Sequence, residues 1–286
     1  MLRPFDYFHP NDMAETLTLL DQEDETSVLA GGTDLLVKMR RGSIRPPVVV
    51  DIKGLEECQG IRWEGDRLSL GSLTTFNDLL RSQEAHKHFP LLIDAARVMG
   101  CYEVRERATL GGNVVNASPG AESGSPLAVL EAQVVLKGRR GERQMSIGHF
   151  WQGVGKTDLA PGELLVRIVI PRLPEGSRST YLRRSRVQGM DLASVNVAVV
   201  VINPRLPESR EIRVALGAVA PTPIRAREVE TLLRGQEITS SLLSQMRDKI
   251  QEGLAPRTTS LRATPGYKKE MVGVLTEMAL EVLLKG

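Results

Sequence analysis

In this 286-residue chain, two double glycines and their polar neighbours are the residues whose types and spacing favour ligand binding. The first, Gly31-Gly32, follows a short apolar stretch and precedes Thr33 and Asp34, which can cap a following helix. A backbone without side chains can approach an anion closely, and a helix N-terminus presents free N–H groups to it. The segment therefore suits a pyrophosphate. Because its spacing matches neither the GxGxxG pattern nor a phosphate loop with a following lysine, a tight strand-to-helix turn explains it equally well.

The second double glycine, Gly111-Gly112, lies within residues 108–121, the longest stretch without charged residues. Its neighbours Asn113, Asn116 and Ser118 offer hydrogen-bond donors and acceptors without charge. We predict a ligand-facing loop whose backbone lies against a flat ligand, with an ordinary surface loop as the alternative. Two such segments about 80 residues apart favour a long ligand that is held at both ends, and hence a dinucleotide rather than a mononucleotide.

The elements that must position these segments mix strand and helix patterns, which predicts an α/β or α+β fold. In the N-terminal part, apolar runs predict strands and apolar residues at helical spacing predict helices. The predicted strands cover residues 27–30, 48–50, 67–74 and 163–170, and the predicted helices cover residues 11–20, 35–41 and 89–99. We expect Gly42 to close the second of these helices.

A segment with two prolines and a glycine, residues 171–179, is predicted to be a linker. From residue 177 onward the chain holds 17 basic and 11 acidic side chains, whereas the part before it is acidic. Beyond the linker, three predicted strands (180–184, 195–202 and 211–219) and three helices indicate a small sheet with helices packed on one side. The last helix, residues 267–284, places five apolar residues on one face, and its methionines are expected to be core: Tyr267, Met271, Val274, Met278 and Val282.

Composition excludes several functional classes. The formal net charge of +2, from 37 basic and 35 acidic residues, is too balanced for a dedicated nucleic-acid-binding protein. Residues 108–121 are too few to span a bilayer, and the N-terminus lacks an apolar signal segment, so we expect a cytoplasmic protein. Two cysteines and four histidines show no metal-ligand spacing, so redox chemistry would need an organic cofactor or a cofactor held by a partner.

The ordered set of motifs resembles the FAD-binding subunit of the molybdenum hydroxylases, a family that includes subunits of aerobic carbon monoxide dehydrogenase, xanthine dehydrogenase and 4-hydroxybenzoyl-CoA reductase. The two glycine segments carry the resemblance, as AGGTDLLVKMRRG and ATLGGNVVNASPGAE. Further matches are FDYFHPNDMAETLTLL, PPVVVDIKGLEECQGI, GELLVRIVIP, YLRRSRVQGMDLASVNVAVV, VALGAVAPTPIRAREVE and GYKKEMVGVLTEMAL, so the resemblance covers nearly the whole chain.

The resemblance implies an α+β protein of two domains. Residues 1–175 would form an FAD-binding domain of the vanillyl-alcohol-oxidase type, built from two α/β subdomains. Residues 176–286 would form a C-terminal domain with a three-stranded antiparallel sheet and helices.

The resemblance also implies the cofactor-binding residues. The first segment would wrap the FAD pyrophosphate with Leu29, Ala30, Gly31, Gly32, Thr33, Asp34, Leu35 and Leu36, and the second segment would add Thr109, Gly111, Gly112, Asn113 and Ser118. Glu122 stands where relatives usually carry Asp, and Arg183, or its neighbour Arg184, stands where they carry Lys near the cofactor. Leu165 matches a residue that packs near the flavin, and Asp191 matches a residue of the domain interface or a cap.

Ordinary structural roles compete with three of these assignments. Leu165 suits the core, Arg183 suits a solvated or partner-facing cluster, and Glu122 suits the surface as well as a ligand.

The implied function is electron transfer without a catalytic residue in this chain. Electrons would come from a molybdenum-cofactor large subunit through 2Fe-2S clusters of a small subunit, and would pass through FAD to NAD or another acceptor. Two alternatives stay open, namely a self-sufficient FAD-dependent reductase or oxidase and a non-enzymatic assembly module that has lost FAD. The sequence leaves the substrate, the reaction direction, the final acceptor and the stoichiometry open.

Overall fold

The computed structural model describes residues 2–22, 25–258, 260 and 262–285. Its helices are α1 (Met13–Gln22), α2 (Leu35–Arg41), α3 (Phe76–Arg81), α4 (Gln83–His88), α5 (Pro90–Val98), α6 (Tyr102–Arg105), α7 (Leu110–Val115), α8 (Gly124–Val129), α9 (Ile147–Phe150), α10 (Arg227–Leu233), α11 (Ser240–Glu252) and α12 (Pro265–Lys285). Its strands are β1 (Asp6–Phe8), β2 (Ser27–Leu29), β3 (Val48–Asp51), β4 (Ile61–Glu64), β5 (Arg67–Gly71), β6 (Gln133–Gly138), β7 (Gly141–Ser146), β8 (Trp151–Gly153), β9 (Lys156–Thr157), β10 (Leu164–Pro171), β11 (Arg178–Arg184), β12 (Val195–Ile202), β13 (Glu211–Gly217) and β14 (Ile224–Arg225).

A small parallel sheet with the strand order β1-β3-β2 carries the first glycine segment. Its central strand β3 is buried along its whole length, as expected for a parallel strand that is covered on both faces. The chain leaves β2 at Leu29 and enters α2 at Leu35, so the double glycine lies between a strand end and a helix start. The prediction that Gly42 closes α2 is confirmed, since Gly42 adopts the left-handed conformation with φ 71°.

A five-stranded antiparallel sheet with the order β4-β5-β10-β6-β7 forms the middle of the molecule. Its central strand β10 separates two hydrophobic cores, and a register shift lies between Leu165 and Arg167. The shift moves later side chains to the opposite face, so that Leu165 and Ile168 pack into one core while Leu164 and Val169 pack into the other. This bulge explains why the alternation in the sequence of β10 is irregular.

The C-terminal sheet has the order β11-β12-β13-β14 and is antiparallel. It contains the three expected long strands and a fourth strand of two residues. Every residue of β12 is buried, because Val197 and Val199 face the core formed with α10 to α12, whereas Ala198 and Val200 face the core shared with α5 and α8. The prediction that the helices of the C-terminal part pack on one side of its sheet is confirmed, and helices of the N-terminal part cover the other side.

The predicted apolar face of α12 is also wrong. Tyr267, Met278 and Val282 are exposed, and the buried face is formed by Lys268, Val272, Leu275, Thr276, Ala279, Leu280 and Leu283. The helix carries apolar residues on both faces, and the face with Leu275, Leu280 and Leu283 packs against β11 and β12.

Candidate functional site

One cavity of about 320 Å3 is lined by both glycine segments. This volume lies at the lower end of the range for small-molecule sites, about 300–1,000 Å3. The structure brings together eleven of the predicted residues there: Ala30, Gly31, Gly32, Thr33, Asp34, Leu35, Thr109, Gly111, Gly112, Asn113 and Leu165. A second cavity of about 360 Å3 adjoins the first and shares Ala30, Gly31 and Thr109 with it.

The first glycine of each pair allows close backbone packing. A Cβ on Gly31 would lie 1.8 Å from the carbonyl oxygen of Arg107, and a Cβ on Gly111 would lie 2.5 Å from the Cβ of Ser72. No side chain fits at these distances. Gly31 therefore places the first segment directly against the chain that leads into Thr109, and the two segments meet because of this contact.

All four glycines line the cavity, and the second glycine of each pair is not in close contact with another part of the backbone. Gly32 adopts a φ of 73°, a left-handed backbone conformation that is strained for residues with a side chain. Gly112 is exposed to the cavity, and a Cβ on it would have only the Thr109 hydroxyl within 4 Å. Because glycine has no side chain, the backbone at these two positions is uncovered, and a bound molecule can contact it there.

The backbone amides of the first segment are available to a ligand. Among the residues that the structure describes, no acceptor pairs with the N–H groups of Gly32, Thr33 and Asp34. The Asp34 side chain occupies the N-cap position of α2 but makes no capping hydrogen bond, so that part of the prediction is wrong. Unpaired amides beside a cavity at a helix start are suitable donors for an anion.

The second segment is a short helix, α7, and not the loop that the sequence predicted. Thr109 caps it by accepting a hydrogen bond from the Gly112 amide at 3.1 Å, and the Gly111 amide donates to the Ser72 carbonyl at 2.9 Å. Its amides are therefore paired within the protein. This segment can supply the wall, the Asn113 side chain and the Thr109 side chain, whereas the first segment supplies free backbone donors.

Sequence reasoning missed several residues that line the same cavity. They are Val28, Lys38, Ile44, Ile52, Ser72, Met99, Ala108, Val115, Gly155, Leu159, Glu163 and Leu164. Asn116, which the sequence indicated as a polar residue of the second segment, also lines the cavity. Lys38 lies one turn into α2, and its Nζ donates to Asn116 Oδ1 at 2.7 Å, so this pair joins the two segments across the cavity. Helical spacing from Asp34 could have identified Lys38, whereas nothing local in the sequence indicates Ser72 or Met99.

Five predicted residues lie outside the lining of this cavity. Leu29 and Leu36 are the two end residues of the first segment, and Ser118 lines a separate cavity of about 120 Å3. Glu122 and Arg183 form an ion pair with Arg183 Nη1 2.8 Å from Glu122 Oε1, and Glu122 is only 4% exposed. The prediction that either residue contacts a cofactor therefore stays a prediction.

The Glu122–Arg183 ion pair connects two parts of the chain, namely the segment just before α8 and the strand β11. Burial raises the pKa of Glu122 to about 7, although the hydrogen bond and positive charge of Arg183 act in the opposite direction. Arg183 also donates to the Asp191 carbonyl at 3.1 Å. The carboxylate of Asp191 pairs with Arg186 at 2.9 Å, which lowers the pKa of Asp191 to about 2.

Comparison with known families identifies this arrangement. Residues 3–173 match the family model of the FAD binding domain in molybdopterin dehydrogenase, and residues 180–283 match the model of the CO dehydrogenase flavoprotein C-terminal domain. The chain belongs to this family of flavoproteins. Its cofactor is FAD, and the family is one of oxidoreductases.

Known relatives extend the similarity over the whole chain. The carbon monoxide dehydrogenase medium chain of Hydrogenophaga pseudoflava is 32% identical over 96% of this chain and 96% of its own length. The xanthine dehydrogenase FAD-binding subunit of Escherichia coli is 30% identical over 96% of this chain and 94% of its own length. A solved structure of carbon monoxide dehydrogenase from Hydrogenophaga pseudoflava matches with a TM-score of 0.94 and 32% identity, covering 99% of this chain and 98% of that chain. Within the described ranges, the flavoprotein has no helix with the length and hydropathy that crossing a membrane requires.

Proposed function

We propose that this flavoprotein is the FAD-binding electron-transfer subunit of a molybdenum hydroxylase complex. In this proposal electrons arrive from 2Fe-2S clusters of a small subunit and leave for NAD or another acceptor, while a large subunit with a molybdenum cofactor oxidises the substrate. The observation that carries the proposal is the cavity in which a glycine segment with unpaired amides faces a second glycine segment.

The residues of this cavity fit FAD. The amides of Gly32, Thr33 and Asp34 would hold the pyrophosphate, because they are donors without a described acceptor. Gly112 would let the cofactor approach α7, and Thr109 and Asn113 would orient it through polar groups. Leu165, Leu164 and Met99 would exclude water from an apolar portion of the cavity. We further propose roles for Leu29, Leu36, Ser118, Glu122 and Arg183 near the cofactor, although they do not line this cavity.

Bound FAD supplies the ability to accept electrons singly and to release them as a pair. The protein residues around it bind and orient it, and the titratable groups that line the cavity are Asp34, Lys38 and Glu163. Glu163 is paired with Arg143 at 2.7 Å, and Lys38 donates to Asn116. The proposal therefore needs no general acid or base from this chain.

Partner subunits are supported by the cysteine content. The chain has two cysteines, fewer than the four thiolates that hold a 2Fe-2S cluster. Cys58 is buried, and burial raises the pKa of its thiol to about 11, which disfavours a thiolate ligand. The relatives carry names such as medium chain and FAD-binding subunit, which also supports partner chains.

We also propose the domain division and the location. The first domain would comprise residues 1–175, of the vanillyl-alcohol-oxidase type, and the second would comprise residues 176–286. The family matches on either side of residues 174–179 support this division, as does the short connection between β10 and β11. A cytoplasmic location is proposed in keeping with the partner subunits.

A titration of the purified chain with FAD, with FMN as the control, tests the proposal. We expect saturable binding of FAD and weaker binding of FMN, because FMN lacks the pyrophosphate and adenosine that the first segment and the adjoining cavity would contact. Flavin fluorescence reports binding. Equal affinity for both flavins would contradict the dinucleotide site, and binding of neither would favour the assembly-module alternative. Co-purification with molybdenum and iron–sulfur subunits separates the electron-transfer subunit from a self-sufficient reductase.

A further inference from the structure

Three cationic side chains line the cavity of about 120 Å3 that contains Ser118. Arg257 and Arg262 come from the segment before α12, and Lys268 comes from the first turns of α12. Ser118 and Gly120, a few residues after the end of α7, line the same cavity. The segment that follows the second double glycine and the beginning of the last helix therefore both contribute to the lining of this cavity.

These cations have no carboxylate partner among the residues that the structure describes. No ion pair joins Arg257, Arg262 or Lys268 to an acidic side chain there. Within the described part of the chain, Arg262 Nε is buried without a hydrogen-bond acceptor. Lys268 is only 5% exposed, and its Nζ donates to the Ala218 carbonyl at 2.6 Å. Buried charge in proteins is ordinarily paired with an opposite charge, and the buried Lys268 and the half-buried Arg262 have no such partner among the described residues.

The start of α12 adds positive potential at the same place. Its first turn contains no acidic residue, although helix N-termini favour negative charge. Burial and the positive charges of Arg257 and Arg262 lower the pKa of Lys268, so the three cations repel one another. A bound anion would relieve both the repulsion and the unfavourable position of Lys268 near the helix start.

We propose that Arg257, Arg262 and Lys268 form a binding site for a phosphate group carried by a small molecule. Guanidinium groups suit phosphate oxygens through paired hydrogen bonds, and an ammonium adds a compact charge. The source is either free phosphate or the phosphate of a nucleotide electron acceptor. The second source rests on the proposed electron-transfer function, whereas phosphate binding itself does not.

Calorimetric titration of the FAD-treated full chain with inorganic phosphate, at constant ionic strength against chloride, tests the site. We expect saturable binding that is weakened about tenfold or more in Arg257→Gln and in Lys268→Gln, since each removes a charged hydrogen-bond donor. The matched controls are Arg205→Gln, exposed in the connection between β12 and β13, and Lys269→Gln, which does not line the cavity. Both controls should retain the affinity of the unaltered chain.

Arg257 is the decisive position, because it is exposed and its substitution leaves the buried Lys268 contact in place. Absence of saturable phosphate binding, or equal affinity in Arg257→Gln and Arg205→Gln, would overturn the proposal. NADH added as a competitor identifies the source: displacement of phosphate assigns the site to a nucleotide, and binding of phosphate without competition assigns it to free phosphate. Flavin content, measured on the same samples, tests the FAD proposal separately.

Discussion

Gly112 offers a direct test of whether the cavity between the glycine segments holds FAD. Gly112 lines the cavity, and a Cβ on it would have only Thr109 Oγ1 within 4 Å, at 2.9 Å. Moving that hydroxyl weakens the cap of α7 and costs about 1 kcal/mol. Replacing glycine by alanine inside a helix stabilises it by roughly 0.5–1 kcal/mol. We therefore expect the free energy of unfolding of the FAD-free Gly112→Ala chain to change by less than about 1 kcal/mol.

The effect on FAD binding should be larger than the effect on folding. Extra methyl groups forced into a closely packed contact cost about 1–3 kcal/mol, which corresponds to about a 5- to 150-fold higher Kd. Gly112→Ala should lie near the lower value and Gly112→Val near the upper one, because valine adds two further methyl groups to the cavity. Flavin fluorescence titration measures the Kd, and urea denaturation of the FAD-free chain measures stability.

Gly153→Val is the matched control, since a Cβ there meets no atom within 4 Å and the residue does not line the cavity. It should bind FAD as the unaltered chain does. If Gly112→Val binds FAD with the original Kd and remains equally stable, the cofactor does not contact α7 at this glycine. A stability loss of more than about 3 kcal/mol in that variant would show instead that folding had failed, beyond the cost expected for overpacking.

Three further variants test the packing and the buried charges. Gly31→Ala should lose about 3 kcal/mol or more of stability in urea denaturation, because its Cβ would lie 1.8 Å from the Arg107 carbonyl oxygen. FAD binding should be lost as well. Unchanged stability would show that this contact is not made. Burial raises the pKa of Glu122 to about 7, so between about pH 5 and pH 7 the folded chain keeps a proton that the unfolded chain loses. The free energy of unfolding should therefore fall by at most about 3 kcal/mol as pH rises from about 5 to 7. Denaturation at a series of pH values should show a smaller decline in Glu122→Gln, and an identical decline would contradict the assignment. Glu230→Ala removes the acceptor of Arg225 Nε at 2.6 Å and should cost about 3–5 kcal/mol by thermal or urea denaturation, whereas the exposed Glu228→Ala should change little.

Local patterns predicted one element beside the first glycine segment and one strand of the C-terminal sheet with their correct bounds. The α2 helix occupies the predicted residues 35–41, and β12 occupies the predicted residues 195–202. These elements were predictable because an apolar run and a terminating glycine act within a few residues. The α7 helix was missed, since glycine and asparagine disfavour helices, and its formation depends on the Thr109 cap and on the hydrogen bond from Trp151 Nε1 to the Val114 carbonyl.

Contacts distant in sequence also decided which residues form the site. The presence of Ser72 and Met99 in the cavity depends on tertiary packing, such as that of α7 against β10, which no local pattern reports. Gly31 and Gly111 could be predicted to matter, but their function in backbone packing against residues 107 and 72 required the structure.

The α12 helix shows why buried polar residues mislead a hydrophobic pattern. Lys268 and Thr276 resemble surface residues, yet both lie on the buried face, where Lys268 donates to the Ala218 carbonyl and Thr276 donates to the Val272 carbonyl. Once these backbone contacts satisfy the two polar groups, the face that contains them can pack against the sheet. The apolar stripe with Met278 and Val282 is left exposed as a consequence. A lysine buried at this position is costly for folding alone, which is why the cationic cavity beside it favours a binding role over a purely structural one.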